Sequence, residues 1–178
     1  MSHLPEGFVI RPPDPRWGTD EDTDLHLVLV HPEIPGNTGN VGRLSAGAGI
    51  WLHLVRPLGF ELENKHLRRA GLDYWPHVKL CVHDDIEDVL RIFPRERLAL
   101  FTKHGTLRHS DLQYTPGSVL LFGRETKGLD PELLERFPER LVRIPITDRV
   151  RSLNLSNACA IATYEAMRQL DWAPLGGA

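Results

Sequence analysis

The sequence is poor in the features that mark secreted, membrane-bound or metal-dependent proteins. Cysteine occurs twice, at Cys81 and Cys159, far apart and in apolar surroundings. Such thiols suit the interior of a protein in a reducing compartment and exclude a disulfide framework. No uninterrupted apolar run approaches the roughly 18 residues that a membrane-spanning helix needs, and Met1 to Asp24 is too polar for the apolar part of a signal peptide. A cytoplasmic protein without membrane contact is therefore expected. The nine histidines and two cysteines show no zinc spacing, and neither H-E-x-x-H nor G-x-S-x-G occurs. No metal is expected, and serine-hydrolase chemistry is set aside. Glycines 36, 39 and 42 follow neither the G-x-G-x-x-G order of a dinucleotide site nor the G-x-x-x-x-G-K-[ST] of a phosphate loop, which argues against Rossmann cofactors and ATP.

What is present fits one domain with a substantial core: 178 residues, 41% hydrophobic and 25% charged. The net charge of −3 is unevenly spread, because residues 1–24 carry six acids against Arg11 and Arg16, a net of −4, and the remainder is +1. That first stretch also contains Pro5, Pro12, Pro13 and Pro15 without periodic apolar residues, so it reads as a flexible or loosely docked acidic extension, with the domain proper at 25–178. Two basic clusters, Lys65-His66-Leu67-Arg68-Arg69 and Arg149-Val150-Arg151, suit a phosphate backbone and suit a solvated helix face equally well.

From Leu25 the pattern becomes an alternation of short apolar runs and amphipathic segments. Leu25–Val30, Trp51–Val55, Val78–Val82, Leu98–Thr102, Val119–Gly123 and Leu141–Ile146 read as strands. Thr38–Gly49, a short basic helix at Asn64–Gly71, Asp84–Phe93 capped by Asp84 or Asp85, a helix from about Pro131, and about Asn154–Leu170 read as helices. The last carries Ala158, Ile161, Ala162, Glu165, Ala166 and Gln169 on one stripe. Such alternation predicts an α/β fold, a mostly parallel sheet covered by helices on both faces.

Ligands of open parallel sheets bind beyond the carboxyl ends of the strands. Three polar loops follow strands there: Pro35-Gly36-Asn37-Thr38-Gly39-Asn40-Val41-Gly42-Arg43, then Phe122-Gly123-Arg124-Glu125-Thr126-Lys127-Gly128-Leu129, then Arg151-Ser152-Leu153-Asn154-Leu155-Ser156-Asn157-Ala158 after Ile144-Pro145. In the third, Ser152, Asn154, Ser156 and Asn157 crowd a helix entrance. Any one of them would serve as an N-cap, and together they can also face a ligand at the helix's positive end.

These three stretches resemble the three motifs of the SPOUT class of RNA 2′-O-methyltransferases. Arg68-Arg69-Ala70-Gly71-Leu72-Asp73-Tyr74 and Tyr164-Glu165-Ala166 bring the resemblance closer to its small TrmL (YibK-like) branch, the tRNA wobble-ribose methyltransferases, over roughly Leu25 to Leu170. The resemblance implies a C-terminal trefoil knot holding S-adenosylmethionine, largely through main-chain groups that fall on Leu100, Gly123, Ile144 and Ser152, with Leu153 close by. It implies a homodimer that methylates cytidine or uridine 34 of leucine tRNA. Methylation of ribosomal RNA and a non-catalytic RNA-binding or assembly role are the alternatives.

The resemblance also assigns roles. The family's catalytic arginine falls on Arg43, and the positions tied to substrate handling fall on Asn37, Glu125, Ser152 and Asn154. A guanidinium stays protonated in proteins, so Arg43 is expected to grip the adjacent phosphate and stabilise charge on the 2′-oxygen while phosphate or water takes the proton. Glu125 either partners the cofactor's sulfonium or, the reading preferred, ties its own loop down through backbone N–H groups. Lys65, Arg68, Arg69, Arg124, Lys127 and Arg151 are the candidates for phosphate contacts. The stripe Ala158, Ala162, Ala166 permits close approach of another helix, in a dimer or within one chain.

Overall fold

The computed structural model describes residues 8–62 and 74–176; the expected basic helix at 64–71, with Lys65, Arg68 and Arg69, lies outside them. Strand β1 (His26–Val30) is buried at all five positions, as its nearly continuous apolar run requires, because strands flank it and helices cover both faces. The chain continues through α1 (Pro35–Ala48), β2 (Trp51–Val55), β3 (Lys79–His83), α2 (Ile86–Ile92), β4 (Leu98–Phe101), β5 (Leu107–Arg108), β6 (Val119–Phe122), α3 (Pro131–Arg136), β7 (Leu141–Arg143) and α4 (Leu155–Gln169). All seven strands are parallel, in the order β3-β2-β1-β6-β4-β7-β5. Successive strands step outward from β1 to β3, and the later strands fill the other side, so the direction switches between β1 and β6. Such a point opens a crevice at the carboxyl edge.

Local chemistry sets the element ends. Helix α1 starts at Pro35, three residues before the expected Thr38, since proline fits a first helical turn. It ends at Gly49, whose φ of 69° is the left-handed conformation glycine adopts freely. Asp85 and Asp88 form a capping box on α2. Strand β7 stops at Arg143 instead of Ile146: Pro145 has no N–H to continue a ladder, and residues 145–152 are exposed throughout. The two-residue β5, paired with β7, is too short to leave a periodic signal and was not expected.

Two cores sandwich the sheet. On one face α1 and α4 pack against each other and on Leu27, Leu29, Leu52, Phe101 and Phe122; on the other lie Val28, Val30, Leu98, Leu100, Leu121 and Phe93. Ala162 and Ala166 are fully buried within the chain, so this part of the alanine stripe serves the intrachain core. Ile161, expected on that stripe, is 39% exposed.

From residue 8 onward the acidic extension is docked on the sheet. Phe8 and Trp17 are buried, Ile10 bridges Leu80 and the Arg11 N–H donates to the Leu80 carbonyl at 2.8 Å, lengthening the sheet edge at β3. The Arg97 guanidinium donates to the Thr19 carbonyl at 2.8 Å, and Asp22 is buried against His26. Composition left a flexible and a loosely docked extension open, and two aromatics and a paired acid dock residues 8–24. No helix among the described residues is long and apolar enough to cross a membrane.

Candidate active site at the carboxyl edge

Strands β1 and β6 are neighbours, so the loops leaving them meet. The Glu125 carboxylate accepts from the N–H of Glu33 at 2.8 Å, the N–H of Ile34 at 3.1 Å and the Asn37 side-chain amide at 3.1 Å. Glu33 reciprocates, accepting from the N–H of Thr126 at 3.0 Å and from its hydroxyl. Glu125 therefore ties down a loop through backbone N–H groups as expected, but the loop is the one entering α1, not its own. Thr126 in turn holds the Glu33 carboxyl below the usual range.

The third loop joins through α1. The Asn154 amide donates to the Asn37 side-chain oxygen at 3.0 Å, while Asn154 Oδ1 accepts from Ser156 N–H at 2.9 Å, Ser156 Oγ at 2.7 Å and Asn157 N–H at 3.4 Å. Asn154 is thus the N-cap of α4, and Ser152 is exposed in the loop before it. Glu125, Asn37 and Asn154 form one hydrogen-bonded chain linking the three loops. A Glu125→Gln substitution places an amide donor against backbone donors, and is expected to cost about 1–3 kcal/mol, less for the exposed part of the side chain. Combined with Asn154→Ala in a double-mutant cycle by chemical denaturation, it is expected to show a coupling above about 0.5 kcal/mol.

Arg43 is carried by the same helix as Asn37. It lies six residues, or about 9 Å of helix rise, beyond Asn37, on the exposed face of α1, with its guanidinium 5.2 Å from the centre of the Tyr74 ring. Tyr74 donates to the Gly39 carbonyl at 2.6 Å. Trp75 fills the place of a side chain at Gly42, where a Cβ would come within 2.8 Å of the indole. Along the same exposed face run Gly36, Asn40 and Gly47, and a Cβ at Gly36 or Gly47 would meet nothing within 4 Å. This stripe leaves room for a large partner to approach Arg43.

Of the expected phosphate contacts, Lys127 and Arg151 are exposed in the second and third loops. Arg124 is engaged within the chain: it pairs with Asp130 at 3.1 Å and donates to His31 Nδ1 at 2.9 Å. His31 has φ 53°, strained for a side chain other than glycine, and burial and the Arg124 charge lower its pKa. The neutral ring is the form that accepts from Arg124. Since the folded value lies below the unfolded one of about 6.5, this contribution is complete above pH 6.5 and lost as pH falls through the folded value. Thermal midpoints between pH 5 and 8 are expected to fall on the acid side, with a smaller fall in His31→Asn, whose side chain tolerates the same backbone.

The expected cofactor positions fall at the ends of β6, β4 and β7, adjacent in the sheet. Gly123 is buried where the chain doubles back: a Cβ there would lie 2.0 Å from the Gly128 carbonyl carbon, so only glycine fits. Ile144 and Leu153 are half-buried. The Leu100 side chain belongs to the opposite core, one residue inside the edge, so a cofactor contact at this position would be made by main-chain groups, as the resemblance implies. Phe101 ends β4 on the site's face, stacked on Phe122 at 4.4 Å. Glu33, Thr126, His31 and Phe101 were missed from the sequence; only the strand order, which brings distant loops together, identifies them. The edge offers main-chain groups and an apolar lining without an unpaired buried charge, a donor set that fits an adenosine-bearing cofactor.

Residues 24–164 match the model of the SpoU rRNA Methylase family. The tRNA (cytidine(34)-2′-O)-methyltransferase of Methylovorus glucosotrophus is 48% identical over 148 residues, 83% of this chain and 96% of that protein. Among solved structures, one presented as "Structural insights into the 2-OH methylation of C/U34 on tRNA" superposes with a TM-score of 0.78 at 49% identity, covering 84% of this chain and 97% of that one. An AdoMet-bound rRNA methyltransferase from Sinorhizobium meliloti superposes with a TM-score of 0.76 at 25% identity over 90% of this chain and 62% of that one. The chain belongs to the SpoU methylase family, and its similarity is strong to members named for 2′-O-methylation of nucleotide 34 in tRNA.

Proposed function

We propose that this chain methylates the ribose 2′-hydroxyl of cytidine or uridine 34 in leucine tRNA, with S-adenosylmethionine as methyl donor, in the cytoplasm. The observation that carries the reading is the hydrogen-bonded chain Glu125–Asn37–Asn154 fastening three loops at one sheet edge, beside an open helix face bearing Arg43, in a chain so similar to the proteins above. Leu100, Gly123, Ile144 and Ser152, with Leu153 close by, would hold the cofactor largely through main-chain groups, and it would supply an electrophilic methyl group. Arg43 binds the neighbouring phosphate and stabilises negative charge developing on the 2′-oxygen, and phosphate or water accepts its proton. Asn37, Glu125 and Asn154 are positioning residues: their polar groups are committed to one another and fix the loops. Lys127 and Arg151 contact phosphates, and with Lys65, Arg68 and Arg69 orient the tRNA without reading its sequence.

The C-terminal part is proposed to be a trefoil knot, since the chain leaves β7, passes the exposed loop, and returns in α4 against α1 and β6. The working form is a homodimer. Ile161 and Tyr164 are exposed on α4, a surface suited to a second copy; a monomer by light scattering at assay concentration, with full activity, would refute it. The function is tested by incubating the protein with labelled S-adenosylmethionine and total RNA from a strain lacking the gene, then mapping 2′-O-methyl groups. Label is expected at nucleotide 34 of leucine tRNA. Label confined to ribosomal RNA would overturn this reading.

A further inference from the structure

A line of buried polar side chains crosses the face of the sheet remote from the candidate active site. Asp22 meets His26 Nε2 at 3.1 and 3.2 Å, His26 Nδ1 meets His53 Nε2 at 3.0 Å, and His53 Nδ1 meets His83 Nε2 at 2.9 Å. All four are at most 3% exposed. Cys81, 1% exposed, lies directly opposite His53 in the sheet register. Around them the core is apolar: Val28, Val55, Val89, Phe93 and the roof formed by Trp17.

A carboxylate only accepts, so His26 Nε2 carries a proton. In the tautomer that opens the site, His26 Nδ1 accepts from His53 Nε2 and His53 Nδ1 presents its lone pair toward His83. A single proton, on His83 Nε2, separates two imidazole nitrogens, and the Cys81 sulfur lies with them: one ligand atom from each of His53, Cys81 and His83 falls within 4.8 Å of the others. We infer that these three residues form a binding site for one borderline-soft divalent cation, of which zinc(II) is the natural probe. Bonds of about 2.0 Å to nitrogen and about 2.3 Å to sulfur span this triangle once the imidazoles part and turn toward the ion and the sulfur stands about 3.5 Å from both nitrogens. Asp22 and His26 act as positioning residues, holding His53 in the tautomer that presents Nδ1, the usual outer support of a metal-bound histidine.

The step balances. The His83 proton moves from Nε2 to Nδ1, the Cys81 thiol releases its proton to solvent, and the cation takes the three freed lone pairs, so one proton is released per ion bound. Spacing along the chain could not reveal the site, because His53 is brought to the Cys81-Val82-His83 segment only by strand pairing.

The test uses the full-length protein stripped of metal with a chelator, then titrated with cobalt(II) and, in competition, zinc(II). One equivalent of cobalt is expected to bind and to give a sulfur-to-cobalt charge-transfer band in the near ultraviolet, displaced by zinc. The band is expected to persist in Cys159→Ser, vanish in Cys81→Ala, and appear with affinity lowered about tenfold or more in Asp22→Asn. The wild-type spectrum decides even if a variant fails to fold: absence of a stoichiometric band overturns the site. A band retained in folded Cys81→Ala overturns the ligand assignment.

Discussion

Arg43→Ala is expected to lower the rate of methyl transfer by about 10²- to 10³-fold, the usual cost of removing a donor aimed at developing negative charge, with little change in melting temperature. The stability cost is expected to be small because the Arg43 side chain is exposed on α1. Arg43→Lys keeps the charge but loses the planar fork, and is expected to recover only part of the rate. Near-full turnover in the lysine variant would remove the two-pronged grip from the mechanism. Single-turnover measurements with saturating tRNA separate this effect from weakened binding, since an interaction made only in the transition state lowers the chemical step itself.

The second large effect is on stability and lies far from the chemistry. Trp17→Ala is expected to cost about 3–5 kcal/mol, a fall in melting temperature of roughly 2–4 °C for each kcal/mol in a chain of this size. The indole is 4% exposed and sits edge-on to Trp51 at 4.7 Å and His53 at 4.8 Å, so its removal opens the roof over the buried histidines. Its ring N–H has no hydrogen-bond partner among the described residues. Trp17→Phe should therefore cost clearly less than alanine. Val9→Ala, at a side chain 49% exposed in the same segment, is the control and should stay within about 0.5 kcal/mol. Equal melting temperatures for Trp17→Ala and wild type would return the segment to the status of a loose tail.

The contrast between these two predictions reflects what a sequence can carry. Strands such as Trp51–Val55 and helix signals such as Gly49, Asp85 and Pro131 are local, written in the residues that form them, and were legible. So were the three loops, because each directly follows an apolar run. The partner of Glu125 was not legible. It donates from the loop before α1 about 90 residues away in sequence, and only the placement of β6 beside β1 decides that. The same holds for the stacking of Phe101 on Phe122, which the pairing of β4 with β6 decides. For residues 8–24 the acid and proline content left flexible and docked readings open, because the receptor of Phe8 and Trp17 is assembled from distant strands.

The central claim is that the site acts on one ribose hydroxyl, and a single atom tests it. A leucine tRNA transcript is prepared in two forms, identical except that one carries a 2′-deoxy sugar at nucleotide 34, and each is incubated with labelled S-adenosylmethionine and enzyme. One methyl group per molecule is expected in the ribose form and none in the deoxy form, with comparable binding of both. Equal labelling of the two would contradict the account, because the methyl group would then be going to another atom.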